Sequence, residues 1–203
     1  LQRLKSLSVT IFFLLSTISL FGDFILKDEI GINKEFHEEV EKLGEELFQK
    51  SGISAYMLIL KTTNSRSLSL VGLEELEKLG ENSLILTFAE VEQKVDIVAT
   101  EQVLKLFDKE QVLSPYPWSG TILPILGEKI KQDVRHKYSV ALFNGYADIV
   151  EQIANNKDIT LANSVGSSNK YVLNILRVIF YSILFIALSY LFYRKFIKKG
   201  ANV

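Results

Sequence analysis

NSLILTFAEVEQKVDIVA, residues 82–99, decides the fold. Asn82 to Phe88 reads as the best buried strand of the chain, and its Leu, Ile, Thr and Phe suit that place. Lys94 to Ala99 follows after a turn around Glu92 and Gln93. A connection this short cannot carry the crossover that parallel strands require, so the two segments are predicted to pair as an antiparallel hairpin.

Working outward, Asn33 stands where an N-cap belongs, and Phe36, Val40, Leu43 and Leu47 recur at helical spacing. Glu35, Glu38, Glu39, Glu41, Glu45 and Glu46 mostly decorate the opposite face. Gly52 ends this helix and Ile53 to Leu60 begins a second buried strand. Residues 23–33 read as an entering arm, Ser67 to Val71 alternates like a strand, and Leu73 to Leu79 reads as a short helix. After the hairpin, Val103, Leu104 and Phe107 form a helical face that Asp108 closes. Ile122, Ile125, Leu126 and Ile130 mark one further helix, and Tyr138, Leu142, Tyr146, Ile149 and Ile153 mark another. The fold class expected is α/β: a single domain over 28–156 with a mixed sheet flanked by helices.

Two apolar stretches bracket this region. Tyr171 to Tyr193, YVLNILRVIFYSILFIALSYLFY, is long enough for a membrane span, which needs about 20 residues. Arg194, Lys195, Lys198 and Lys199 follow it and resist translocation, so the tail 194–203 is expected to be cytoplasmic. Residues 157–170 read as a flexible tether. The segment 1–22, with Arg3 and Lys5 before VTIFFLLSTISLFG, reads as a signal peptide or as an uncleaved signal anchor. Either version places the acidic region on the far side of a bacterial inner membrane, the periplasmic side, in a single-pass topology.

Charge supports that partition. All 24 acidic residues lie between Asp23 and Asp158, while 23–170 holds 16 of the 23 basic ones, a net of −8. That sign excludes a nucleic-acid partner, whose backbone needs basic neutralisation. The absence of cysteine excludes disulfides, thiolate catalysis and thiolate metal sites.

The segments GISAYMLIL (52–60), NSLILTF (82–88), KVDIVAT (94–100) and LKLFDKEQ (104–111), followed by two long helices, resemble the TPM domain. That family comprises membrane-anchored or secreted bacterial proteins and a thylakoid lumen protein linked to photosystem II repair. The resemblance covers about 30–154 and implies a signal peptide, the domain and a C-terminal span. Thr100 stands where the family usually has Gly, and the family's aromatic-Gly-Ile-Gly segment is missing. The family's Leu-Thr-Asp, whose carboxylate helps bind a divalent ion in some members, falls at Leu106, Phe107 and Asp108. Phosphatase activity has been proposed for some members and assembly or repair for others.

Candidate chemistry rests on few residues. Asp108, at a helix end beside a loop, can hold a hard cation such as Ca2+ through its oxygens, and Asp96, if it points out of its strand, reaches the same rim; the plainer reading is that Asp108 caps the following helix. Glu92, Glu101 and Asp133 are further carboxylates that folding can bring near. His37 and His136 belong to no zinc pattern, and no G-x-S-x-G, calcium loop or phosphate loop is present. In LSPYPWSGT, residues 113–121, two prolines stiffen a frame that carries Tyr116 and Trp118. These two are candidate partner contacts, or Trp118 closes the domain's own core. Arg177, inside the expected span, either snorkels or meets an acidic partner. The expected role is a non-enzymatic, membrane-anchored periplasmic binding or assembly module acting on subunits of a membrane protein complex and on the lipid bilayer. The alternative is a membrane-tethered, divalent-metal-dependent phosphoester hydrolase.

Overall fold

The structure is a computed structural model, and it describes residues 23–129, 133–164, 178–186 and 188–190. A four-stranded sheet has the order β1 (Ile25–Asp28), β2 (Ser54–Leu60), β3 (Ser83–Ala89) and β4 (Lys94–Ala99). The first three strands are parallel and β4 runs antiparallel to β3, with Leu84 opposite Ala99 and Ala89 opposite Lys94. The hairpin at 82–99 thus forms as its sequence predicts.

Every residue of β3 is buried, and the period-2 alternation of a strand explains how. Leu84, Leu86 and Phe88 enter the larger core with Ala55, Met57 and Ile59 of β2 and Ile97 of β4. Two helices cover that face: α1 (Lys34–Ser51), through Val40, Leu43 and Leu47, and the long C-terminal helix of the domain, through Leu142, Tyr146 and Ile149. Ile85 and Ala89 point the other way, with Leu58, Leu60 and Val98, into a smaller core under α2 (Leu68–Leu76).

The helix α2 occupies ground where a strand was expected over 67–71. Because β2 and β3 are parallel, the chain between them must cross over the sheet, and a helix does this while burying Leu68 and Leu76. Gly72 permits the contact: a Cβ there would stand 3.0 Å from both Thr87 Cγ2 and Val98 Cγ2. The expected arm over 23–33 contains β1, a strand of four residues and too short to show a period.

The remaining helices are α3 (Glu101–Leu104), α4 (Lys109–Val112), α5 (Leu123–Leu126) and α6 (Val134–Asn156). The helix expected to reach Ile130 stops at Leu126, and residues 130–132 lie outside those described.

The cap of α1 is as read from the sequence: Asn33 Oδ1 accepts from the Phe36 amide at 2.9 Å, and Gly52 closes the helix at φ +71°. Two of its glutamates hold the ends of the domain. Glu41 accepts from the Phe24 and Ile25 amides, at 2.9 and 3.1 Å. Glu46 accepts from the Ala162 amide at 2.5 Å, from the Asn163 amide at 3.0 Å and from Asn163 Nδ2 at 2.9 Å. Lys50 bridges Glu46 and the Thr160 carbonyl, at 2.6 and 2.8 Å, and Leu161 is buried in the main core. Residues 159–163, the start of the expected tether, are therefore packed on the domain.

The C-terminal span is corrected. Residues 164–203 form a separate unit, helical at 178–186 and 188–190, where Phe180, Phe185 and Tyr190 are exposed. Among the described residues no helix is long and apolar enough to cross a membrane. The single-pass inner-membrane topology with its periplasmic domain therefore loses its basis. So do the membrane-anchored assembly module and the membrane-tethered hydrolase built on it. The signal segment 1–22, the flanks 165–177 and the tail 191–203 lie outside the described residues.

Two stability predictions follow from these contacts. A Cβ on Gly44 would stand 2.5 Å from Tyr146 Oη, which is pinned by donating to the Ala55 carbonyl at 2.7 Å, and 2.6 Å from Phe24 Cγ. Gly44→Ala is expected to lower the unfolding free energy by about 2–3 kcal/mol in urea titrations, the cost of overpacking a filled core. Burial alone would raise the Glu46 carboxyl, but the Lys50 ammonium, the two amides and the Asn163 side chain outweigh it and hold it at about 2, against an ordinary 4.5. A carboxyl depressed on folding stabilises fully above its unfolded value, so about 3 kcal/mol is present above about pH 4.5 and lost as pH falls toward 2. In Glu46→Gln, stability measured across that window should lose this slope.

Candidate functional site

The carboxylates singled out in the sequence do not converge. Asp108 caps α4, accepting from the Gln111 amide at 2.9 Å. Asp96 receives Lys109 Nζ at 2.7 Å and the Ile97 amide at 2.8 Å. Burial would raise the Asp96 carboxyl, yet Lys109, the Ser69 hydroxyl and the Ile97 amide hold it below the ordinary carboxylate range. Glu92 binds Thr62 and Thr63, tying the β3–β4 turn to the end of β2. Glu101 pairs with Lys105, and Asp133 caps α6 through the His136 amide. Among the described residues no group of three or more His, Cys, Asp or Glu side chains is placed to hold a metal ion.

Asp96 has an architectural use instead. β4 is an edge strand, and the Thr100 amide bonds the Ser83 carbonyl. The alternation of an antiparallel ladder then turns the Ile97 N–H toward the open edge. The Asp96 side chain takes that donor, and a charged group on an edge strand also discourages pairing with another chain.

His37 Nε2 donates to the Asp28 carboxylate at 2.9 Å, and Asp28 also accepts the Ile30, Gly31 and Ile32 amides. This pair organises the turn before α1. His136 lines a small cavity of about 180 Å³ with Glu35, Phe36 and Phe143.

The aromatic loop is the most distinctive surface. Tyr116 and Trp118 are 55% and 77% exposed, and their rings stack at 5.0 Å with an interplanar angle of 14°. Trp118 therefore does not close the core. The frame is closely bonded: the Ser119 and Gly120 amides donate to the Tyr116 carbonyl at 3.0 and 2.7 Å, and the Ser114 and Ser119 hydroxyls meet at 2.6 Å. At Gly120 a Cβ would lie 1.7 Å from the Ser114 carbonyl oxygen, so the turn tolerates only glycine.

Sequence reasoning found the two aromatic residues but not their support. Gln111 of α4 donates to the Ser119 carbonyl at 2.5 Å, and Gln111, Gln152 and Asp148 form a polar network beneath the loop. Nothing in the spacing of two glutamines and an aspartate over 41 residues announces this. Beside it opens a cleft of about 600 Å³ lined by Phe107, Asp108, Lys109, Gln152 and Asn156. Arg177 lies outside the described residues.

No family model and no curated protein matches this sequence. Among solved structures, the N-terminal domain of a protein from P. gingivalis is similar at 11% identity and a TM-score of 0.53, covering 70% of this chain and 88% of that one. The N-terminal domain of the cg2496 protein from Corynebacterium glutamicum is 13% identical with a TM-score of 0.46, covering 74% and 88%. The BA42 protein from the psychrophilic bacterium Bizionia argentinensis is 11% identical with a TM-score of 0.48, covering 68% and 97%. The P. gingivalis likeness is one of fold alone.

Asp96→Ala is expected to leave the Ile97 donor and Lys109 without their partner, lowering stability by about 1–3 kcal/mol. It should also unblock β4, so sedimentation at rising concentration should show more association than in the unaltered chain.

Proposed function

We propose that this chain carries a TPM-like domain that serves protein recognition. Its contact centre is the Tyr116–Trp118 stack, and its partner is an apolar segment of another polypeptide, bearing proline or aliphatic side chains. The TPM assignment is supported by the segments that resemble the family, which fall on β2, β3, β4 and the α3–α4 stretch. The single observation that carries the recognition reading is the stacked, exposed pair on a rigid frame.

Physical reasons favour an apolar partner. Gln111 to Gly127 contains no charged residue. The polar groups around the stack are already engaged, Ser114 with Ser119 and Gln111 with Ser119 and Gln152. Binding at the stack therefore rests chiefly on dispersion and on water release from ring surface, with the Tyr116 hydroxyl and the Trp118 indole N–H as the polar tips of the two rings. Aromatic side chains with two torsions each, held in place beforehand, lose little entropy on contact, which is why such residues dominate interface energetics.

The test is quantitative co-purification of the full chain with its cellular partner, followed by calorimetric titration of the isolated pair. Trp118→Ala and Tyr116→Ala are each expected to weaken the complex by about 2 kcal/mol, roughly 30-fold, with far-ultraviolet circular dichroism unchanged. Survival of the complex at full strength in both variants would falsify the reading.

A further inference from the structure

We propose that Gln111 is the positioning residue of the recognition loop: its carboxamide ties Ser119 to the buried Asp148 of α6 and so holds the Tyr116–Trp118 stack in its binding form. The inference deepens the recognition reading and rests on it.

The geometry uses both donors of the side chain and engages its oxygen. A carboxamide has two N–H donors and one oxygen. Gln111 Nε2 donates to the Ser119 carbonyl at 2.5 Å and to Asp148 Oδ2 at 3.3 Å, while Gln111 Oε1 accepts from Gln152 Nε2 at 2.7 Å. Gln152 Nε2 also donates to Asp148 Oδ1 at 3.2 Å, and Gln152 Oε1 accepts the Asp108 amide at 2.8 Å.

Only one sense of the network satisfies every atom. Asp148, 5% exposed, is an acceptor, so both amide nitrogens must face it. Flipping Gln111 would set its oxygen against the carboxylate and against the Ser119 carbonyl, and would turn its nitrogen toward the Gln152 nitrogen. The direction set at Asp148 therefore passes through Gln111 to Ser119. Ser119 in turn closes the loop, through its hydroxyl to Ser114 and its amide to the Tyr116 carbonyl. Tyr116 and Trp118 lie inside that closure. A stack 77% exposed at Trp118 has little core packing of its own, so its fixity comes from below.

Gln111→Glu in the full chain tests this, because it keeps shape while replacing both donors with an acceptor. Hydrogen exchange at the Ser119 and Gly120 amides is expected to rise at least tenfold, the amides of Leu84 to Phe88 to keep their protection, and partner affinity to fall about as far as in Tyr116→Ala. Adding Asp148→Asn returns a donor between residues 111 and 148 but none toward the Ser119 carbonyl. The double variant should therefore recover melting temperature without recovering loop protection. Unchanged exchange at Ser119 and Gly120 overturns the proposal, as does an equal rise in the strand amides, which marks a merely structural role. Partner binding that is lost in Trp118→Ala yet intact in Gln111→Glu overturns the positioning role alone. Binding indifferent to Trp118 and Tyr116 overturns the recognition reading instead.

Discussion

The rest of the structure depends on a strand that has no surface to spare. β3 places Leu84, Leu86 and Phe88 on one face of the sheet and Ile85 and Ala89 on the other, so both faces must be covered. Covering them unequally sets the architecture. Two long helices, α1 and α6, lie on the first face, and the short α2 lies on the second, drawn close by Gly72. The parallel pairing of β2 with β3 demands a crossover, and α2 is both that crossover and the lid of the smaller core.

The polar groups follow from this apolar arrangement. Tyr146 crosses the main core to reach the Ala55 carbonyl, and Gly44 leaves room for it. Glu41 and Glu46 of α1 are half-buried and buried where the chain enters and leaves the domain, where backbone amides lack ladder partners. Asp96 meets an edge-strand amide, and Asp108 meets the first turn of a helix. Of the carboxylates that looked available for a metal, Asp96, Asp108, Glu92 and Asp133 take backbone donors at an edge, a turn and two helix caps, and Glu101 pairs with Lys105. A buried donor left unbonded costs about 1–3 kcal/mol, which gives those backbone contacts a structural role.

The recognition loop shows the opposite economy. Its hydrogen bonds are turned inward and its rings outward. Pro115 and Pro117 limit the backbone, Gly120 admits a turn that no side chain would allow, and Gln111 anchors the whole to α6. Such a surface offers area rather than polar recognition. The adjoining cleft at Asp108 and Gln152 shares the polar network that supports the loop.

The sequence by itself determined the hairpin at 82–99, the buried strand at 53–60, the amphipathic α1 with its Asn33 and Gly52 caps, and the aromatic loop. All of these are written in local periodicity, capping or proline spacing, which act over a few residues. Only the tertiary structure decided that the chain from Leu68 onward is helical, that β1 is a strand, and that Asp96 and Asp108 face different backbone donors. Those outcomes depend on what lies across the sheet or across the core. Hydropathy reports how a segment prefers to be solvated, whereas helix length, edge position and the pairing of Gln111 with residues 37 and 41 positions away are set by packing between distant parts of the chain.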